Sequence, residues 1–421
     1  RTSSFAMKGK DLTVQQIAQD LHVDTVLEGA VRRAGDRLRI TTQLVHAADG
    51  YPLWSERYDR EMADVFDLQD EIAGTITETL EVRLGGRPDE PLRQGGTRNV
   101  DAYQEYLRGR FHWNRRDGTG LKSAMMHFQN AIQADPTYAL AYAGLADAYN
   151  ILAFYNYVPP ADGFPRAEAA AKRALEIDGR LAEAHTSLGW IAAFHEWDWT
   201  KAEQIYLEAI RLNASYGTAH LWYCFLLGLL GRRRESREQL AIAQRLEPLS
   251  IITKGGASWL MLHTRDFERG AREAKETLAL EPEFGPAWAF LGWHRVLGGR
   301  FEEAIEAWSK AVERLGGLSL AKSMLGYAHA RAGNDAQAEQ LYDALVESAT
   351  EEYVTPYYAA AFALALGRRE EAFEWLERGL EERNSFMPFL GVDPLFDDLR
   401  DDDRFAGVLD TVGLPEIEIG S

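Results

Sequence analysis

The chain has 421 residues, too many for one core of ordinary size, so several domains or a repeat array are implied. Apolar residues make up 46% and aromatic ones 11%, with 36 Gly and 14 Pro, which excludes a disordered or fibrous chain. A formal net charge of -19 creates a field that repels phosphate backbones and anionic lipid, so no nucleic-acid partner is expected for this segment.

Residues 13–21 place Val14, Ile17, Ala18 and Leu21 on one face of a short helix, with Asp11 as a candidate cap. Three extended runs follow, Thr25–Arg33, Leu38–His46 and Tyr51–Tyr58. Gly35 and Asp36 suit a tight hairpin between the first two. In the second run Leu38, Ile40, Thr42 and Leu44 alternate with Arg39, Thr41 and Gln43, the period of a half-buried strand. Ala63–Leu84 carries Val65, Phe66, Leu68, Ile72, Ile76, Leu80 and Leu84 at helical spacing. The order is α-β-β-β-α, a small partial α/β domain over residues 1–86. Gly, Pro and charge then concentrate over 85–96, which marks 87–100 as a linker.

Beyond Asp101 the pattern is helical and repeats. Small residues recur at Ala124, Ala167, Ala202, Ser236, Gly270, Ala304, Ala338 and Ala372, with spacings of 43, 35 and then 34 throughout. Seven residues further lie Ala131, Ala174, Ala209, Ala243, Thr277, Ala311, Leu345 and Gly379, of which only Leu345 is bulky. A third small set, Ala146, Gly189, Cys224, Ser258, Gly292, Gly326 and Ala360, sits upstream of the first. Antiparallel helices approach closely only where the crossing points carry small side chains, so these positions predict packed helix pairs. Phe128, Tyr206, Leu240, Trp308, Tyr342 and Leu376 lie midway to fill the holes, and Pro136, Pro248 and Pro282 end second helices. The spacing of 43 implies an insertion over 156–163, expected as a projecting loop.

The segments FLGWH (290–294), GRFEEAIEAW (299–308) and LEP (280–282) resemble tetratricopeptide (TPR) repeats. The resemblance covers about eight repeats over 101–384 and implies a mainly α fold, a right-handed α-α superhelix, with 385–421 as a capping helix and tail in which Leu395, Phe396, Leu399, Phe405, Val408 and Leu409 cover the last repeat. Segments 1–10 (RTSSFAMKGK), 26–40 (VLEGAVRRAGDRLRI) and 53–60 (LWSERYDR) resemble the TolB amino-terminal-like domain that precedes TPR arrays in bacterial regulatory proteins. That resemblance covers residues 1–86 and implies a mixed sheet with helices. Family members usually begin with a further strand-helix-strand, and relatives often carry an upstream winged-helix, kinase or cyclase module, sometimes beyond a membrane span. An amino-terminal region is therefore expected before Arg1.

Following the small position of the first helix, five consecutive repeats carry Trp190, Phe225, Trp259, Trp293 and Tyr327, which the resemblance places on the concave face. Rigid aromatic area there suits a groove that grips a protein or peptide ligand; packing between neighbouring first helices is the alternative. His195, Glu196 and Asp198 are metal-type residues, but their spacing shares no helix face, and no metal or cofactor is expected. Gly118 and Gly120 lack the strand and Lys-Ser/Thr of a phosphate loop, no Gly-x-Ser-x-Gly elbow occurs, and Cys224 occupies a packing slot without a base, so no enzyme activity is expected. Arg232, Arg233 and Arg234 form a short basic turn. Cys224 is the only cysteine, which rules out an internal disulfide and favours a reducing, cytoplasmic setting; a periplasmic one is the alternative if a membrane span precedes Arg1. No apolar run approaches the roughly 18 residues of a span.

Two readings of function follow: a non-enzymatic scaffold that binds a protein or peptide in the concave TPR groove, and the sensory or regulatory part of a larger bacterial signalling protein.

Overall fold

The computed structural model describes residues 12–21, 23–48, 52–61, 64–65, 67–69, 71–73, 75–76 and 96–414. The chain divides into two compact units, residues 1–100 with 247–250, and the remainder.

The first unit opens with α1 (Val14–Leu21). Thr13 starts it: its hydroxyl accepts from the Gln16 amide at 3.2 Å, and the Gln16 side chain accepts from the Thr13 amide at 2.9 Å. Asp11, the expected cap, lies outside the described residues. Strands β1 (Thr25–Ala34), β2 (Arg37–His46) and β3 (Pro52–Glu61) form an antiparallel sheet in that order. Gly35, at φ 61°, makes the hairpin turn. Val26 faces Val45, and Ile40 faces Tyr58. A shift between Leu44 and Val45 breaks the two-residue period, and both side chains are buried. β3 runs three residues past its expected end, to Glu61, where Asp59 pairs with Arg39 at 2.9 Å. Positions 65, 67–69, 71–73 and 75–76 are helical; the rest of the helix expected over 63–84, and most of the 87–100 linker, lie outside the described residues.

The second unit is an array of eight helix pairs among the described residues. The first helices are α2 (Val100–Trp113), α4 (Ala139–Phe154), α6 (Ala182–Ile191), α8 (Gly217–Leu229), α10 (Ile251–His263), α12 (Gly285–Leu297), α14 (Ser319–Arg331) and α16 (Pro356–Ala365). The second helices are α3 (Gly118–Ala134), α5 (Pro160–Ile177), α7 (Trp199–Leu212), α9 (Arg233–Leu246), α11 (Phe267–Leu280), α13 (Phe301–Arg314), α15 (Asp335–Ser348) and α17 (Arg369–Glu381). The helix pairs are those that the small-residue period predicts, and the architecture is the TPR-like superhelix that the resemblance implies.

Every small position of the second helices is buried, from Ala124 to Ala372 and from Ala131 to Gly379. So are the six large residues between them. The close approach is measurable at the glycines: a Cβ on Gly292 would stand 2.6 Å from the Trp308 ring, and one on Gly326 would stand 2.1 Å from Phe362 of the next pair. The three prolines fall two residues beyond α3, α9 and α11.

The two irregular spacings have different causes. The expected loop at 156–163 is a correction: α4 and α5 have 16 and 18 residues, against 13 and 14 for α8 and α9, so helix extension takes up most of the insertion. Asn156 is 2% exposed. The spacing of 35 coincides with a π-helical turn, Ala192–Glu196, which accommodates one extra residue in a helix. After α17 the chain forms two 3-10 turns, Met387–Phe389 and Pro394–Leu399, and then α18 (Asp403–Val412).

Candidate functional site

All five predicted aromatics lie on first helices of the array and are buried: Trp190 is 2% exposed, Phe225 and Trp259 7%, Trp293 and Tyr327 5%. Three form one continuous ring cluster. Trp190 lies 6.3 Å from Phe225, which lies 5.0 Å from Trp259. Trp293 instead packs on Tyr358 at 5.5 Å and on Trp308 at 4.9 Å. Tyr327 is buried on α14, where desolvation pushes its hydroxyl up to about 12.

The cluster is covered by the chain's own segment 383–400. Phe389 packs on Trp259 at 4.7 Å, on His263 at 5.1 Å and on Phe194 at 5.8 Å. Phe386 meets Phe154 and Tyr358, each at 4.9 Å. Met387 and Leu390 of the same segment are fully buried. Phe154, eight residues past Ala146, the periodic position that sequence marked on α4, is the hub: it touches Trp190 at 4.8 Å and Trp259 at 5.5 Å.

Polar contacts fix the register of this segment. Asn384 donates to the Asn156 side-chain oxygen at 2.9 Å, and Ser385 donates to the Phe154 carbonyl at 2.8 Å. Arg383 donates to the Glu196 carbonyl at 2.8 Å and lies over the Trp197 ring. Arg265 clamps Asp397 through two bonds, at 2.7 and 2.8 Å. Tyr357 donates to Asp393 at 2.7 Å, and burial pushes the Asp393 carboxyl up to about 6. Further along, Arg369 and Arg404 both hold Asp402, and Phe396 packs on Tyr357 at 4.9 Å.

The contact residues share a backbone feature invisible in their identities. Each turn between the two helices of a pair passes through left-handed conformation, at Arg116, Asn156, Trp197, Gly231, Arg265, Gly299, Gly333 and Gly367. From Trp197 on, these recur every 34 residues. Asp117, Asp198 and Asp266 follow three of them and cap the second helix, accepting from the amides of Gly120, Lys201 and Arg269. Gly118 and Gly120 are thus the first turn of α3.

The remaining candidates have structural work. His195 stacks on Phe164 at 4.8 Å and burial lowers its pKa; Glu196 pairs with Lys201, and Asp198 is a helix cap. No metal-type cluster occurs among the described residues. Arg232 of the basic turn pairs with Glu203 and Glu235. Cys224 is buried beside Ser236, and burial pushes its thiol up to about 12, so it stays protonated at neutral pH. His294 contacts the Ser258 carbonyl at 2.9 Å and burial lowers it to about 4. No helix among the described residues is long and apolar enough to cross a membrane.

No protein-family model matches the chain. It is similar to "Putative adenylate cyclase 3" of Rhizobium meliloti (strain 1021), 33% identical over 193 residues, which is 45% of this chain and 32% of that protein. The match therefore spans about a third of the relative's length. Among solved structures it is similar to yeast Tom70, with 14% identity, 77% of this chain and 70% of that one covered, and a TM-score of 0.43. It is also similar to YrrB, described as a TPR protein with an unusual peptide-binding site, with 19% identity, 46% and 95% covered, and a TM-score of 0.29.

Proposed function

We propose that this chain is a non-enzymatic scaffold that recognises a protein or peptide through the concave face of its TPR-like array. The observation that supports this most is that the face already holds a short peptide, the chain's own segment 383–400. Phe386 and Phe389 serve as anchors, and Asn156, Arg265 and Tyr357 set its register. That is the pattern of groove recognition, apolar anchors with polar contacts between them. Trp190, Phe225, Trp259, Trp293 and Tyr327 are the proposed groove contacts. A partner that takes the place of Phe389 meets Trp259, His263 and Phe194.

The test is a labelled peptide of residues 383–400 added to the wild type and to the Phe389→Ala chain, each checked for helical circular dichroism. Saturable binding to the folded variant, with little to the wild type, supports the reading. Equal, non-saturable signal from both counts against it.

The likeness to an adenylate cyclase over about a third of that protein supports a second reading, in which this chain is the sensory or regulatory part of a larger signalling protein. The two are compatible, since a scaffold in such a protein is its partner-sensing element. Joining this chain to a cyclase domain and measuring cyclase output with and without the 383–400 peptide separates them: unchanged output leaves the scaffold reading alone.

A further inference from the structure

Four of the eight left-handed turns carry a side chain instead of glycine, and three of those side chains hold the carboxy-terminal segment. Asn156 bonds to Asn384, Trp197 lies under Arg383, and Arg265 clamps Asp397. The fourth, Arg116, holds nothing. It is 2% exposed, its guanidinium rests 3.6 Å above the Trp113 ring, and its Nη1 has no hydrogen-bond partner among the described residues. Asp147, the carboxylate closest to it in effect, is already engaged by Arg110 at 3.0 Å and by Ser187 at 2.6 Å. Burial lowers the Arg116 guanidinium to about 10, which leaves it charged at neutral pH.

Arg116 lines a cavity of about 40 Å³ on the inner face of the array, with Trp190, Phe225, Ile252, Trp259 and Phe290 among its walls. Room for one water begins near 10–15 Å³, so the enclosed part holds two or three waters or one carboxylate group, and the cavity is open on one side, which leaves room for the apolar body of a larger acid. Trp190 supplies a second buried donor, its indole Nε1, likewise without a partner among the described residues. Both orphaned polar atoms of this lining are donors, and one is a full positive charge. A charge taken out of water needs a counter-charge in reach, and a guanidinium pairs best with the planar, two-oxygen acceptor of a carboxylate.

We propose that this cavity is a binding site for a carboxylate carrying a small apolar group, with Arg116 as the counter-charge, the Trp190 indole N–H as second donor, and the aromatic walls selecting the apolar body. Such a carboxylate has two sources, a small free acid or the carboxy terminus of an apolar peptide. The left-handed backbone at Arg116 is then retained for the same reason as at Asn156 and Arg265, to aim a side chain at what occupies the inner face.

Isothermal titration of the full chain with butyrate, benzoate and butyramide tests the proposal, and an apolar tripeptide in free and amidated forms distinguishes the sources. Saturable binding of a free acid, none of butyramide, and a loss of about 10- to 100-fold in Arg116→Met support it, the range expected for one hydrogen-bonded charge. Binding of the tripeptide but not of its amide or of butyrate supports it with a peptide as the source. Trp190→Phe keeps an aromatic ring but removes the N–H, so it weakens binding severalfold and tests the site independently of Arg116→Met. No saturable binding of any carboxylate, or equal binding by the amides, overturns the site.

Discussion

Six of the eight inter-helix turns of the array fall into two groups that differ in one respect. At Gly299, Gly333 and Gly367 a Cβ would meet nothing within 4 Å, so the turn faces open space and a side chain has nothing to gain. At Asn156, Trp197 and Arg265 the same left-handed backbone carries a side chain that reaches the segment after the last repeat. An L-residue in that conformation costs about 1–2 kcal/mol relative to glycine. At Asn156, Trp197 and Arg265 a contact offsets that cost, so three of the four residues that break the glycine rule trace the path of the segment.

The comparison is tested most severely at the anchor those turns surround. Phe389→Ala removes a side chain 2% exposed that touches Trp259, His263 and Phe194, and a loss of about 3–5 kcal/mol in urea unfolding is expected. A loss below about 1 kcal/mol would mean that the segment is not packed into the array in solution.

Next in size is a pH effect at Asp393. Its folded-state pKa is raised from 3.8 to about 6, so between those values the folded chain binds more protons than the unfolded one. Stability from this group is present below about pH 4, falls as pH rises to 6, and stays low above it. Asp393→Asn retains the cap on the Leu395 amide and removes the titration, so the difference between wild type and variant shifts by about 3 kcal/mol at most across pH 4–6. A difference flat over that window means that the carboxyl is not buried against Tyr357.

Most of the fold was legible because packing writes small residues into the sequence at a fixed period. Ala124 through Ala372 named every second helix, and the aromatic series includes Trp190, Phe225 and Trp259, which pack into one ring cluster. What covers that face was not legible. Phe386 and Phe389 follow no repeat, and the apolar residues from Leu395 to Leu409 pointed only to a cap on the last repeat. Arg265 and Asp397 are 132 positions apart, a separation that periodicity does not carry. One signal was present: Gly231, Gly299, Gly333 and Gly367 keep the 34-residue register, and stepping back by 34 lands on Arg265 and Trp197. The insertion in the second repeat was misread as a loop because added residues look alike in spacing whether they extend helices or leave them.

Smaller effects separate the two groups of turns more sharply. Asn156→Gly eases a conformation that Asn tolerates well, but removes one of the two acceptors of the buried Asn384 amide, leaving the Tyr353 hydroxyl at 3.2 Å, and removes the bond to the Ala153 carbonyl at 2.8 Å. A loss of about 2 kcal/mol is expected, read as a lower urea midpoint. The contrast is Gly333→Asn, where nothing is gained and a loss of under about 1 kcal/mol is expected. Equal losses at the two sites would dissolve the distinction.

Arg265→Gly is the closest balance. Its ion pair with Asp397 has both side chains more than a third exposed, 35% and 37%, so screening by water and salt limits it to about 1 kcal/mol even with two good bonds. Asp397 also keeps Arg400 at 2.8 Å, so losing Arg265 does not strand a carboxylate. Relief of the left-handed backbone returns about 1 kcal/mol in the other direction. The net change in unfolding free energy should lie within about 0.5 kcal/mol of zero, with added salt moving the wild type toward the variant. A loss of about 2 kcal/mol would show that Arg265 holds the segment through more than a surface ion pair, and would place this turn with Asn156 as a structural clamp.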